Sequence, residues 1–289
     1  MIKIVTHNGH FHADEILAVA VLLIKYPDAE IVRSRDQEII NSGDIVVDVG
    51  HVYNPEKFKF DHHQQGGAGK RENGIPYASS GLVWKQFGQE LAGGVEEAQL
   101  VDETLIVPVD AEDNGIVFSK AIVEGLREYS LGDFFESFAK GAHTLEAAEA
   151  AFFKALPVAI ELMRREINIA RRRVYDWNYV RKIYDKSDNK QVIILPTYAS
   201  WSRVLTPTET MFVVYPRTDG NWGAQAVLKK PNTFDRKKLF PENWAGLSGD
   251  DLAKISGVSD AFFCHRHRHL AGAKSMEGAL KLAEIALNS

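Results

Sequence analysis

The stretch Ile2-Lys3-Ile4-Val5-Thr6-His7-Asn8-Gly9-His10-Phe11-His12-Ala13-Asp14-Glu15-Ile16-Leu17-Ala18-Val19-Ala20-Val21-Leu22-Leu23-Ile24-Lys25 decides the fold. Ile2 to Thr6 reads as a strand, and Asp14 to Lys25, rich in Leu, Val and Ala, reads as a helix. Two more strands are predicted at Glu30 to Arg33 and at the nearly all-apolar Asp44 to Val49. Strands and helices that alternate in this way predict βαβ units and a parallel sheet, hence an α/β fold. In such a sheet the loops beyond the carboxyl ends of the strands gather at one edge and form the ligand crevice. His7, Asp48 and the run Asp61-His62-His63 all fall at or just past such ends, so topology predicts that they converge.

Composition sets the bounds on that reading. The 289 residues are 45% hydrophobic and 25% charged, an ordinary globular balance with length enough for two domains. One cysteine, Cys264, excludes an internal disulfide and the usual thiolate zinc sites, so any metal site must draw on His and Asp. The apolar stretch from Ile16 to Ile24 is far shorter than the ~20 residues of a spanning helix. No membrane role is expected. With no leader visible before Ile2, the expected location is cytoplasmic. A net charge of -5 argues against coating of nucleic acid by a basic surface but permits a local basic groove.

Further along, Thr144 to about Tyr175 has helical spacing and ends on Arg171-Arg172-Arg173, with Pro157 expected to kink or divide it. Tyr179 to Tyr184, Gln191 to Leu195, Met211 to Tyr215, Ala224 to Leu228 and Ala261 to Cys264 read as strands. A last helix spans Met276 to Leu287, with Ser275 as its N-cap. The expected organisation is an N-terminal domain at 1–176, including a long linking helix, and a smaller α+β domain at 177–289.

All ten histidines but His143 fall into two groups. In the first, imidazoles and carboxylates from several loops form the kind of mixed set that a di-metal hydrolytic site requires. His7 and His12 can be aimed at one point by a strand-to-helix loop, and Asp14 adds a carboxylate in the helix's first turn. His10 reads as a solvent-facing bystander. Asp48 at the end of a buried strand is costly unless paired or bound to a cation. In Asp61-His62-His63 one imidazole can bind metal while its neighbour meets a substrate phosphate and the aspartate fixes a tautomer. Asp110 or Asp113 can complete a bridge between two metals, although an acidic turn accounts for the segment equally well; with Asp110 as ligand, Asp113 falls to the substrate side. Ser79 and Ser80 either hold a phosphate or cap the helix that follows. At the other end of the chain, His265, His267 and His269 would share one face if extended, with Arg266 and Arg268 opposite. His265, Arg266 and Lys274 are expected to face a phosphate-bearing substrate.

The same residues carry a resemblance over nearly the whole chain. Thr6-His7-Asn8-Gly9, Phe11-His12-Ala13-Asp14-Glu15, Asp48-Val49-Gly50, Asp61-His62-His63-Gln64, Ser79 to Trp84, Val109-Asp110 and Asp113-Asn114-Gly115 match in order and spacing. Trp244-Ala245-Gly246-Leu247, Phe263-Cys264-His265 and Glu277-Gly278-Ala279-Leu280 continue the match. The chain resembles the Myg family (melanocyte proliferating gene one type), relatives of the DHH phosphoesterase superfamily. The resemblance implies a DHH-like N-terminal domain, a C-terminal substrate-handling domain, and metal-dependent phosphodiesterase activity, described as 3′-to-5′ RNA exonuclease activity in the eukaryotic branch. It implies two Mn²⁺ or Mg²⁺ ions on His7, His12, Asp14, Asp48, His62 and an acid at Asp110, with His63 on the phosphate and Asp61 beside it. His12 stands where many superfamily members carry an aspartate, and its nitrogen shifts the preference toward Mn²⁺.

The expected function is therefore a two-metal phosphodiesterase, a 3′-to-5′ exonuclease on single-stranded RNA or short oligonucleotides. A phosphohydrolase of a dinucleotide, cyclic nucleotide or pyrophosphate is the rival, and a non-catalytic metal-stabilised binding protein is a third reading. Homo-oligomerisation is left open by the sequence.

Overall fold

The computed structural model describes residues 1–119, 122–231 and 233–289. Two compact units divide the chain, Met1–Arg171 and Arg172–Ser289. The first carries strands β1 (Lys3–Thr6), β2 (Glu30–Arg33), β3 (Ile45–Val47), β4 (Tyr53–Asn54) and β5 (Lys59–Phe60). Its helices are α1 (Ala13–Lys25), α2 (Gln37–Asn41), α3 (Ser79–Ala92), α4 (Val95–Val101), α5 (Val107–Asp113) and α6 (Leu131–Ala139), followed by the start of α7 (Leu145–Lys186).

The five strands form one sheet in the order β2-β1-β3-β5-β4, parallel except for the β4 edge. The chain goes from β1 through α1 to β2 on one side, then crosses back through α2 to β3 on the other. That reversal between β1 and β3 is a topological switch point, where such sheets open a crevice. Val5, Val46, Ile40 and Val49 pack beneath it. Every residue of α1 from Ala13 to Leu22 is buried, as its continuous apolar sequence requires, and Asp14 and Glu15 are drawn inside with it. Helices α3 and α5 pack on α1.

Between α4 and α5 the helix takes a π-helical turn, Asp102–Ile106, just before Pro108, which has no N–H to donate. The Leu105 to Val109 run is thus helical, and Asp110 lies in a helix rather than in a surface turn.

Helix α7 corrects two expectations. It is one helix through Pro157, because Pro157 lies on an exposed face beside exposed Phe153, whose freed carbonyl can bind water. It also runs past Tyr175 and absorbs the strand expected at Tyr179 to Tyr184. Tyr179, Val180, Ile183 and Tyr184 recur at helical spacing and lay one stripe against Ile193, Leu205 and Val213.

The second unit has β6 (Val192–Ile194), β7 (Phe212–Pro216), β8 (Trp222–Ala226), β9 (Ala261–Cys264) and β10 (Leu270–Ala273), with helices α8 (Ser202–Leu205), α9 (Gly249–Ser256) and α10 (Met276–Asn288). Its sheet order is β6-β7-β8-β10-β9, antiparallel except for β6 with β7. Helix α10 packs on β7, β8 and β10 around Phe212, Phe240, Trp244 and Leu282. Ser275 caps α10, its Oγ accepting the Gly278 amide at 3.0 Å. Among the described residues no helix is long and apolar enough to cross a membrane.

Candidate metal centre

The register of the first sheet builds the site. Val5 pairs with Val46, and Val47 with Phe60, so His7, Asp48 and Asp61 come level just past the ends of β1, β3 and β5. The Asp48 amide donates to the Phe60 carbonyl at 3.1 Å, and there the chain turns sharply. Asp48 has φ 54° and His51 φ 55°, a left-handed conformation that a short polar side chain tolerates better than most. Such a conformation in a non-glycine residue recurs at functional sites. The buried first turn of α1 brings Asp14 and Glu15 to the same edge.

Three groups of potential ligands result: His7, Glu15 and Asp48; Asp48, His62 and His63; and His12, Asp14 and Asp113. Asp48 belongs to two of them. His7 Nε2 lies 3.0 Å from Glu15 Oε2 and 3.2 Å from Asp48 Oδ2. His62 Nε2 lies 3.2 Å from Asp113 Oδ2, 3.4 Å from Asp48 Oδ1 and 3.9 Å from Asp14 Oδ2, which ties the third group to the second. His12 Nδ1 is 3.9 Å from Asp113 Oδ1 and its ring is half exposed. His63 Nδ1 is 2.8 Å from Asp61 Oδ1 and 3.5 Å from Asp48 Oδ1. Asp61 also accepts the backbone amides of His51 at 2.6 Å and His63 at 3.0 Å.

The electrostatics of this edge call for positive charge. Burial, with Asp48 and Asp113 close by, holds the Asp14 carboxyl well above its ordinary range. Burial works against ionisation of Asp48 as well, but His62, His7 and Ser79 outweigh it and push that carboxyl down. Burial would lower His7, yet the carboxylates of Asp48 and Glu15 lift it to about 10. Asp14 Oδ1, Glu15 Oε2 and His62 Nε2 are buried without a hydrogen-bond partner. Orphaned groups of this kind are expensive in a protein interior unless a cation meets them. Imidazole nitrogens mixed with carboxylate oxygens suit divalent first-row metals. The residues present therefore fit a metal, and a metal that displaces a proton from His7 would relieve the same charge.

Asp110 is not brought to this edge. It is fully buried one turn before Asp113, where Arg71 Nη1 donates to it at 2.7 Å, Ser80 Oγ at 2.6 Å and the Gly81 amide at 3.0 Å. A Cβ at Gly81 would overlap Asp110 Oδ2, which explains the glycine. Arg71 also pairs with Asp102. The acid delivered to the ligand groups is Asp113. Nor do Ser79 and Ser80 present free hydroxyls to a phosphate: both are buried, and Ser79 Oγ donates to Asp48 Oδ1 at 2.8 Å.

His265, Arg266 and Lys274 lie in the second unit. The condition of an extended segment is not met: 265–269 is the turn between β9 and β10, because Cys264 pairs with Ala271 and leaves these residues outside the ladder. Arg268 there has φ 57°, the His265 and His269 ring centroids are 4.2 Å apart, and the His267 amide donates to His265 Nδ1 at 3.1 Å. The histidines cluster by turning rather than by alternation.

Two residues of the site carried no sequence signal of their own. Glu15 looks like a second acid in a helix's first turn, and Arg71 sits far along the chain from Asp110. A cavity of about 380 Å³ opens beside Asp48 and His63, with Arg35 and His51 on its wall.

The sequence as a whole matches, over residues 3–287, the family model for MYG1 exonucleases, described as Uncharacterised protein family (UPF0160). The chain belongs to the MYG1 exonuclease family. The MYG1 exonuclease of Homo sapiens is 31% identical over 327 residues, covering 99% of this chain and 85% of the relative. The MYG1 protein of Dictyostelium discoideum is 30% identical, covering 99% and 97% of the two chains. The MYG1 protein of Chlamydia pneumoniae is 32% identical, covering 96% and 94%. The MYG1 relatives thus match both units and not the metal-ligand edge alone.

Proposed function

We propose that this chain is a divalent-metal-dependent phosphodiesterase, a 3′-to-5′ exonuclease acting on RNA or short oligonucleotides, with two cations at the carboxyl edge of the first sheet and Mn²⁺ preferred to Mg²⁺. The observation that carries the reading is Asp48, a buried carboxylate shared by two ligand groups at the switch point. Relatives named exonucleases support the nucleic-acid substrate. The proposed ligands are His7, His12, Asp14, Asp48 and His62, with Asp113 rather than Asp110 as the acid from α5.

Divalent cations at such a site supply charge neutralisation on the phosphoryl oxygens and a nucleophile at neutral pH. The protein's own groups do the rest. Asp61 holds His63 Nδ1, and this hydrogen bond raises the imidazole above its ordinary value. His63 is half exposed beside the cavity, so its other nitrogen can donate to the phosphate or to the departing oxygen. Arg35 adds a cation at the same cavity. Ser79 fixes the rotamer of Asp48.

A cavity of about 380 Å³ also suits a small phosphorylated substrate, which keeps a dinucleotide, cyclic nucleotide or pyrophosphate in view. A panel of single-stranded RNA, a dinucleotide, a cyclic nucleotide and pyrophosphate, each with Mn²⁺ or with chelator, separates the two. Stepwise release of mononucleotides from the 3′ end of RNA is the expected result. Turnover of only the small substrates would replace RNA with one of them, and no metal-dependent turnover would leave a binding protein.

A further inference from the structure

Glu15 is the acid that the proposed ligand set leaves unused. It is fully buried in the first turn of α1, a position where acids are ordinarily solvated and merely complement the helix end. One of its oxygens is anchored. Thr6 Oγ1 donates to Glu15 Oε1 at 2.8 Å, and Arg33 Nη2 stands 3.5 Å from the same oxygen. Arg33 is itself fixed, with its guanidinium 4.2 Å from the Phe152 ring centroid and Nη2 donating to the Gly9 carbonyl at 3.1 Å. The other oxygen, Oε2, has no hydrogen-bond partner, although it is 3.0 Å from His7 Nε2.

His7 sharpens the point. Its Nδ1 is 3.1 Å from the Asn8 carbonyl, which can only accept, so a neutral ring carries its N–H there and turns a lone pair on Nε2 toward Glu15 and Asp48. One atom from each of the three residues lies within 4.8 Å of the others. A neutral His7 offers Glu15 and Asp48 no donor, so the three atoms sit together only around a positive charge, either a proton on Nε2 or the cation that displaces it. The contacts of His7 Nε2 at 3.0 Å and 3.2 Å also match the spacing of adjacent ligands on a six-coordinate ion, about 3.0 Å for bonds near 2.1 Å.

We propose that Glu15 is a direct ligand, through Oε2, of the cation held by His7 and Asp48; this rests on the metal-dependent reading above. Asp14, Glu15, Asp48 and Asp113 then offer four carboxylates to two divalent cations, which balances the formal charge of the pocket. Thr6 and Arg33 are positioning residues that hold Oε1 and leave Oε2 for the metal.

The test is anomalous diffraction from crystals of the full chain grown with Mn²⁺, together with Mn²⁺ titration of wild type and Glu15→Gln by calorimetry. The expected map places an ion about 2.1 Å from Glu15 Oε2. The expected titration shows Glu15→Gln losing one of two Mn²⁺ equivalents, or at least tenfold in its affinity. An ion on His7 with both Glu15 oxygens beyond bonding distance overturns the proposal, whatever the variant does. So does a Glu15→Gln protein that holds both ions at wild-type affinity. Wild type that takes up no Mn²⁺ would sink this proposal and the metal-dependent reading together. Wild type with two ions and an indifferent Glu15 would sink the proposal alone.

Discussion

His62 Nε2 lies 3.2 Å from Asp113 Oδ2, whereas Asp110, one turn earlier on the same helix, is taken up by Ser80 and the Gly81 amide and held by Arg71 at 2.7 Å. The two acids have separate duties. Asp113→Asn is expected to keep its fold and lose at least tenfold in Mn²⁺ affinity, measured by calorimetry. Asp110→Asn is expected to keep Mn²⁺ uptake and lose roughly 1–3 kcal/mol of stability in urea unfolding, since it weakens the hydrogen bonds that Arg71, Ser80 and Gly81 donate to a buried carboxylate while Arg71 keeps Asp102. The reverse pattern would return the ligand role to Asp110.

This division shows what the sequence could reveal. β1, α1, β2 and β3 were readable because short apolar strands separated by one long apolar helix admit few arrangements, and the positions of His7, Asp48 and His62 followed from strand ends. The choice between Asp110 and Asp113 depended on a π-helical turn before Pro108, and on Arg71, a partner 39 residues away in sequence from Asp110. No local pattern encodes either. The strand expected at Tyr179 to Tyr184 failed for a related reason, since four aromatic or β-branched residues in six suit a strand by residue type, while their spacing at 179, 180, 183 and 184 is that of a helix face. In the sequence Glu15 is indistinguishable from an ordinary helix-end acid, because burial of a helix's first turn is a tertiary fact.

Ser79 Oγ donates to Asp48 Oδ1 at 2.8 Å with both groups buried. Ser79→Ala leaves that oxygen unsatisfied, which costs roughly 1–3 kcal/mol of stability. As the loss of an outer partner of a metal ligand, it should also weaken Mn²⁺ binding by about 10- to 100-fold. Thermal unfolding of the metal-free protein and Mn²⁺ titration read the two effects separately; unchanged Mn²⁺ affinity would show that Asp48 needs no such support.

His63 should matter for turnover more than for metal. It is held by Asp61 and half exposed at the cavity. His63→Ala is expected to retain Mn²⁺ stoichiometry while kcat falls about 100- to 10,000-fold, the usual span for a group that moves a proton. Loss of Mn²⁺ from this variant would make His63 a ligand instead.

Cys264 offers a probe of the second unit. It is fully buried, and burial pushes its thiol up to about 11 from an ordinary 9.0. The native protein should resist thiol reagents at pH 8 and react only as fast as that unit opens. Because the thiol ionises more readily in the unfolded chain, its contribution to stability declines as pH rises above 9.0 toward about 11. Stoichiometric labelling of folded protein within seconds would contradict the burial.

Asp48 is shared by two of the three ligand groups, so hydrolysis of a 5′-labelled single-stranded RNA by wild type and Asp48→Asn, with Mn²⁺ and with chelator, tests the account most directly. Wild type with Mn²⁺ should give a ladder shortening from the 3′ end, abolished by chelator and restored by added Mn²⁺, while folded Asp48→Asn gives no ladder. Cleavage by Asp48→Asn at the wild-type rate, or by wild type in excess chelator, would contradict it.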